Sequence, residues 1–344
     1  MKYSIFIVIV IALFVIGCEI GSKKQINNEP DMVCCDTVGE KPINNEPDVY
    51  VAGWEGDIAV LWKNGVAQNL TDGYGQAMAN AVYVSDSNVF VVGLGAVEYK
   101  GAAKLWRNGI EQNLTEIPHA AEANSVYVSG NDVYIVGNDM GLGIDTVKLW
   151  KNGLMQNLTD GTYNACAKSV YFSDGDLYVA GWEHGTAKLW KNGVAQNLTN
   201  RKGAAAYSVY VSCGDVYVAG FEGNYAVLWK NGVVQNLTDG KNKAIARSVY
   251  VFCDDVYVVG QESIVEDSEI TIAKLWKNGV TQNLTDGSVD AAAYSVYVYY
   301  GDVYVAGFEE NVRGIKIAKL WKNGVAQNLT DGKGCAIAMG VFVK

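Results

Sequence analysis

Residues 208–211 read SVYV, 215–220 DVYVAG, 226–230 AVLWK and 233–238 VVQNLT. Each run is rich in β-branched and aromatic residues and is bounded by Gly, Asn or Asp, the pattern of short strands joined by tight turns. The same four runs recur along the chain. The Leu-Trp pair of the third run ends at Trp62, Trp106, Trp150, Trp190, Trp229, Trp276 and Trp321. Seven copies at a period of roughly 40 to 45 residues describe seven repeated units, so the 344 residues are not to be divided into two average domains.

The joints between the runs have their own chemistry. Asn-Gly pairs stand between the third and fourth runs of every unit, at Asn64, Asn108, Asn152, Asn192, Asn231, Asn278 and Asn323. A two-residue type I′ hairpin needs positive φ twice, and Asn-Gly supplies it. The first-to-second connections, such as SGND at 129–132, are equally short. The first two runs are apolar on both faces, as in Val216, Tyr217, Val218 and Ala219, so each sheet is expected to be covered on both sides. The fourth run sets Gln, Asn and Thr around one Leu and reads as a solvated outer edge.

The first unit starts at its second run, at Asp48, and the chain ends on a fragment, Ala336–Val343, that matches the first run. The end of the chain can therefore supply the strand its beginning lacks, which closes a ring and leaves no open sheet edge at its seam. The expected fold is an all-β, seven-bladed β-propeller over residues 48–344, with four antiparallel strands per blade. With short self-similar blades and a Trp in the third strand, this region resembles the repetitive β-propeller proteins of bacterial envelopes. That resemblance implies a fold more than an activity, because propellers serve as lectins, enzymes, scaffolds and assembly platforms. Neither repeated sialidase-type Asp boxes nor a repeated Trp-Asp signature is present.

Upstream, Lys2 precedes an apolar run from Ile5 to Ile16, too short to span a bilayer and of the length of a secretion signal. Val15, Ile16, Gly17 and Cys18 resemble a bacterial lipobox, with Val where Leu is commoner. The expectation is a signal peptide over 1–17, a lipid on Cys18 that anchors the chain to a membrane of the bacterial cell envelope, outer membrane or cell surface favoured, and a polar tether over 18–47. The tether repeats the phrase INNEPD at 26–31 and 43–48. Removing 1–17 takes the formal charge from −10 to −11, because Lys2 is lost with no acid, and so acidic a chain is repelled by nucleic acid. Cys34, Cys35, Cys166, Cys213, Cys253 and Cys335 fall at unrelated repeat positions and read mostly as free thiols or small buried residues. No metal-ligand spacing is present, no cofactor is implied, and a monomer is expected.

In a propeller the second-to-third and fourth-to-first connections share one face. On that face loop length varies: residues 181–187 are a short link, whereas 260–273 and 307–318 carry insertions. Variable loops on a matched frame are natural carriers of recognition. Several of these links open with an aromatic and an acid: Trp54-Glu55, Trp182-Glu183, Phe221-Glu222 and Phe308-Glu309, with Glu262 after Gln261 as a partial match. An aromatic plate beside a carboxylate suits a sugar ring or a basic peptide side chain. The same pair can equally be an interblade packing residue followed by a solvated turn acid. Small residues and serines precede the first run, as in Ala204, Ala206 and Ser208, and fit the crowding of inner strands. The seven Asn-Leu-Thr sequons, from Asn69 to Asn328, fall on the edge run and are read as edge-strand residues, and the Asp-Gly pairs after them as turns.

His119 and His184 lie outside the repeated phrases, and the adjacent acids Glu309-Glu310 would point apart in a strand. The sequence therefore carries the expectation of no catalytic residues and no enzyme. The expected role is a non-catalytic protein-interaction scaffold using the variable-loop face for an envelope or surface protein, with a glycan-binding lectin-like propeller and an envelope polysaccharide-acting enzyme as alternatives.

Overall fold

In a computed structural model, which describes residues 46–97, 100–115, 120–140, 143–266 and 268–344, the chain forms seven four-stranded antiparallel sheets arranged in a ring. Within each sheet the strands follow chain order from inside to outside. The exception is the first blade, where Ala336–Val343 pairs with Val49–Glu55 as its innermost strand. Each innermost strand also packs on its counterparts in the two flanking blades, and this chain of neighbours returns on itself through Ala336–Val343. The expected all-β seven-bladed propeller, closed by its C-terminal strand, is the observed fold. No helix occurs among the described residues.

The turns form as their chemistry requires. All seven Asn-Gly pairs have positive φ at both residues, for example 50° at Asn231 and 79° at Gly232. The Asn side chain then does a second job. Asn231 Oδ1 accepts the Val216 N–H at 2.9 Å, and its Nδ2 donates to Asp215 Oδ1 at 2.7 Å. Lys230 closes the cluster on Asp215 at 2.7 Å. The same clasp recurs at Asp48, Asp132, Asp176 and Asp255. The fourth strands are shorter than the sequence pattern suggests, as in Val233–Asn236. Leu237 turns inward, and Thr238 Oγ1 accepts the Ala226 N–H at 3.1 Å.

Two rings run round the axis. The seven third-strand tryptophans are at most 1% exposed and pack between blades. Nearer the axis, Tyr83, Tyr127, Tyr171, Tyr210, Tyr250, Tyr297 and Phe342 form a closed aromatic belt, with centroids 4.7–5.1 Å apart and planes tilted 46–53°. Tilted contacts at that spacing let ring edges meet ring faces, which favours them over parallel overlap. Phe342, from the closing strand, supplies the seventh member. Two residues earlier along each inner strand, Ser125, Ser169, Ser208, Ser248 and Ser295 each accept the backbone N–H of a valine in the next blade at 3.2 Å. The serines thus tie blade to blade, which crowding alone does not explain. Ala81 and Gly340 occupy the two positions without this bond.

Cys166 is a buried free thiol and Cys335 an exposed one. Cys213 is disulfide-bonded, a correction to its reading as a free or buried small residue, and Cys34 and Cys35 lie outside the described residues. The signal, Cys18 and nearly all of the tether also lie outside them.

Candidate functional site

Each innermost strand contains one β-bulge, always at the same repeat position, between the second alanine of the lead-in and the serine position. The bulge has a cause on the partner strand. Gly53, Gly93, Gly137, Gly181, Gly220, Gly260 and Gly307 sit opposite, and a Cβ on any of them would meet a backbone carbonyl oxygen at 1.8–2.1 Å. Only glycine admits that approach. The unpaired residue is freed from the ladder and stays half-buried at the inner edge of its blade.

The seven bulge residues are Asn80, Asn124, Lys168, Tyr207, Arg247, Tyr294 and Met339. Flanking positions hardly vary between blades, whereas this one carries two amides, two cations, two phenols and a thioether. Together they form a mouth at the end of the axis that faces the variable loops, with two unlike arcs.

One arc is cationic and aromatic. The Arg247 guanidinium carbon lies 5.2 Å from the Tyr207 ring centroid and 4.8 Å from that of Tyr294, so the cation sits between phenols of the blades on either side. Arg247 Nε donates to Gln261 Oε1 at 2.9 Å. Its two terminal NH₂ groups make no hydrogen bond among the described residues, which leaves most of a five-donor fork unspent. Burial holds the Tyr294 phenol above its ordinary pKa, with Arg247 pulling the other way, so at neutral pH Tyr294 is an uncharged wall. Burial also works against the Lys168 ammonium, but Cys166, Glu122 and Tyr207 outweigh it and hold the lysine above its ordinary value. The Cys166 thiol is itself pushed up by burial. It is therefore neutral at neutral pH, and Glu122 is the charge that steadies the lysine.

The other arc is spent on internal bonds. Asn80 Nδ2 donates to Glu122 Oε1 at 2.8 Å and to the Ala123 carbonyl at 3.0 Å. Asn124 Nδ2 donates to Asn138 Oδ1 at 2.9 Å and to the Ala167 carbonyl at 2.8 Å, and the Cys166 thiol donates to Asn138 at 3.1 Å. The mouth therefore pairs a rigid, satisfied amide arc with a cationic arc in which the terminal nitrogens of Arg247 keep unspent donors.

The residues singled out in the sequence lie on this face but a step outward. Trp54, Trp182, Phe221 and Phe308 pair in register with Ile337, Cys166, Ala205 and Ala292, the lead-in residues that precede the bulges. Phe221 and Phe308 stand 6.1 Å behind Tyr207 and Tyr294. Phe308 is 2% exposed and packs with Ala292 and Ile337, and Trp54 leans on the same cluster. Three of the acids are engaged within their own blades: Glu183 with Lys188 at 3.1 Å, Glu262 with Lys274 at 2.5 Å and Glu309 with Lys319 at 2.7 Å. Glu55 and Glu222 have no ion pair among the described residues, because Val60 and Val227 replace that lysine in their blades.

The bulge ring is what the sequence reading missed. Its signal was there, in the second x of the repeated Ala-x-Ala-x-Ser phrase, where the residue type changes from blade to blade. Among the described residues no group of three or more His, Cys, Asp or Glu side chains could hold a metal ion, and His119 lies outside them. The Asp-Gly carboxylates close turns, as when Asp239 Oδ1 accepts the Lys241 N–H at 3.0 Å.

No protein-family model matches the chain, and no curated protein matches it. Among solved structures, a puromycin-hydrolyzing peptidase of Mycobacterium tuberculosis is similar over 83% of this chain and 53% of its own, at 10% identity and a TM-score of 0.54. An acylaminoacyl peptidase of Pyrococcus horikoshii is similar over 83% of this chain and 50% of its own, at 12% identity and a TM-score of 0.51. This chain spans about half the length of either. At such identities the likeness shows the fold alone, and activity has to be argued from this chain's residues. The expectations of a non-catalytic protein-interaction scaffold and of no enzyme are corrected by this finding, since the structures sharing the propeller bear the names of peptidases. The lack of a repeated catalytic motif does not decide the question, because a ring assembles its mouth from one residue per blade, and such a set leaves no motif in the sequence.

Proposed function

We propose that this chain acts in peptide hydrolysis by holding a peptide at the mouth of the ring, with its carboxylate received by Arg247 and Lys168. The observation that carries the reading is the Arg247 guanidinium fixed between Tyr207 and Tyr294 with its terminal donors unspent. A planar fork of this kind matches a carboxylate through two parallel hydrogen bonds. The flanking phenols hold the arginine side chain in one geometry, which lowers the entropy lost on binding. In a chain of net charge −10 a concentrated cationic arc stands out, and it draws an anion where the remaining surface repels one. Tyr207 and Tyr294, backed by Phe221 and Phe308, offer apolar walls to the residues next to the carboxylate. Glu55 and Glu222, the rim acids without a lysine, are the places for a peptide ammonium or basic side chain. The hydrolytic part of the reading is supported by the names of the peptidases that share the fold.

We also infer that the chain reaches the bacterial envelope and is held there by a lipid on Cys18, a reading supported by Lys2, the apolar run that follows and Val15 to Cys18. Mass spectrometry of the N-terminal peptide from membranes tests it. An acylated Cys18 supports the anchor, and an unmodified peptide that retains residues 1–17 overturns it.

Calorimetry with one tripeptide as free acid and as C-terminal amide tests the peptide reading. Loss of a charge-assisted bidentate contact costs about 1.5–3 kcal/mol, so the amide and the Arg247→Gln variant should each bind roughly ten- to a hundredfold more weakly. Equal affinity for acid and amide overturns the carboxylate site. Failure to release amino acids from the bound tripeptide overturns the hydrolytic part.

A further inference from the structure

Beside the mouth, between the third and fourth blades, lies a separate cavity of about 470 Å³ lined by Ile144, Tyr163, Asn164, Trp182 and His184 with small neighbours. Its walls come from different connections. Ile144 belongs to the long second-to-third loop of the third blade, Tyr163 to the link into the fourth blade, and Trp182 and His184 to the end of the fourth blade's second strand and the turn after it. Asn164 clamps them together. Its Oδ1 accepts the Asp145 N–H at 2.9 Å, and its backbone carbonyl accepts the His184 N–H at 2.9 Å. The Ala165 N–H adds a bond to the Asp145 carbonyl at 2.9 Å. The cavity is therefore pre-formed, with both walls tied to one residue.

The lining leaves apolar groups uncovered around this space: Ile144 is 42% exposed and Tyr163 49% exposed. The Tyr163 and His184 rings meet at 4.2 Å between centroids with their planes tilted by 39°, so both line the space with aromatic surface. The Trp182 Nε1–H and the His184 ring nitrogens make no hydrogen bond among the described residues. A site with ring faces, an aliphatic wall and a few unspent polar edges suits a planar ring that carries its own polar group.

We infer that this cavity is an aromatic subsite that takes a phenol or indole side chain. Identifying its owner as the bound peptide rests on the reading of the mouth. The two sites lie close in the fold, since Trp182 pairs in register with Cys166, two residues before Lys168.

The chain has two histidines, so the ring signals of His184 can be assigned by NMR once His119→Gln removes the other set. Titration of the full chain with p-cresol should move the His184 resonances saturably, and Ile144→Asp, which puts a charge on an exposed wall, should weaken this at least tenfold. Arg247→Gln should leave it unchanged. His184 signals that stay still at millimolar p-cresol, or that move alike in Ile144→Asp, overturn the subsite. A tripeptide free acid ending in tyrosine separates the two claims. If p-cresol moves His184 but the tripeptide does not bind, the aromatic subsite stands and the peptide reading fails. If the tripeptide binds through Arg247 while His184 is silent, the reading of the mouth stands and the subsite fails.

Discussion

Gly260→Ala probes the link between the glycine on the second strand and the bulge that presents Arg247. An alanine Cβ there would lie 1.9 Å from the Ile245 carbonyl oxygen, 2.9 Å from its carbon and 3.1 Å from the Ala246 Cα. Real Cβ contacts essentially never fall below 3.0 Å, so the carbonyl must retreat by more than an ångström. Every one of those atoms is backbone, and no flexible side-chain end can swing aside. Overpacking of this kind costs about 1–3 kcal/mol, and distortion of one ladder hydrogen bond adds about 0.5–1.5 kcal/mol. The expected loss is therefore about 2–4 kcal/mol, read as a lower urea midpoint at unchanged slope. Gly334→Ala is the control, because its Cβ meets nothing within 4 Å and its φ is not left-handed; it should stay within about 0.5 kcal/mol of the parent. The folded Gly260→Ala protein should also bind the tripeptide acid more weakly, since the Ile245 carbonyl lies two residues before Arg247. A Gly260→Ala protein as stable as Gly334→Ala would refute the claim that glycine is required opposite the bulge.

Three further outcomes follow from the ring. Ala81→Ser should stabilise the chain by about 0.5–1.5 kcal/mol in urea unfolding, by giving the Val126 N–H the acceptor that serines supply in five other blades; no gain would count against the serine ties. The carboxyls of Asp48, Asp132, Asp176, Asp215 and Asp255 are held below their ordinary value of 3.8, first by the lysine of each clasp and then by its asparagine. Their stabilisation is complete above the unfolded value and is lost as pH falls through the lowered folded values. Urea midpoints should thus be flat from pH 7 to about 5 and drop below about 4, with a smaller drop in Asp215→Asn, and an equal drop in that variant would contradict the assignment. Deleting Cys335 and the closing strand Ala336–Val343 removes Phe342 and the inner edge of the first blade. Near-ultraviolet circular dichroism should lose its aromatic signal, and an intact signal would mean the ring does not depend on its closure.

Much of the fold was legible because the same turn chemistry and strand pattern are written seven times. Asn-Gly at each third-to-fourth joint, valine-rich runs apolar on both faces and a C-terminal run matching a missing N-terminal one leave few arrangements other than a closed ring. The site was less legible. Trp182, Phe221 and Phe308 were visible as repeated aromatics, but their distance from the axis was not, because a period-two pattern places a side chain on a face and says nothing about depth in a blade. The acids Glu183, Glu262 and Glu309 read as free carboxylates since their lysine partners come from the next strand of the same blade. Lys168, Tyr207, Arg247 and Tyr294 stand between the second alanine and the serine of that phrase, and only its alanines and serines drew attention. A bulge is a three-dimensional event, and only the glycine across the sheet betrays it. The cavity beside Asn164 depends on a loop of one blade meeting a turn of the next, contacts that no single repeat contains.

A crystal structure of the full chain with a bound tripeptide free acid tests the central claim most directly. The account expects carboxylate oxygens within hydrogen-bonding distance of the Arg247 terminal nitrogens, between the rings of Tyr207 and Tyr294. A peptide seated on the opposite face, or along the outer edge strands with Arg247 untouched, would contradict it.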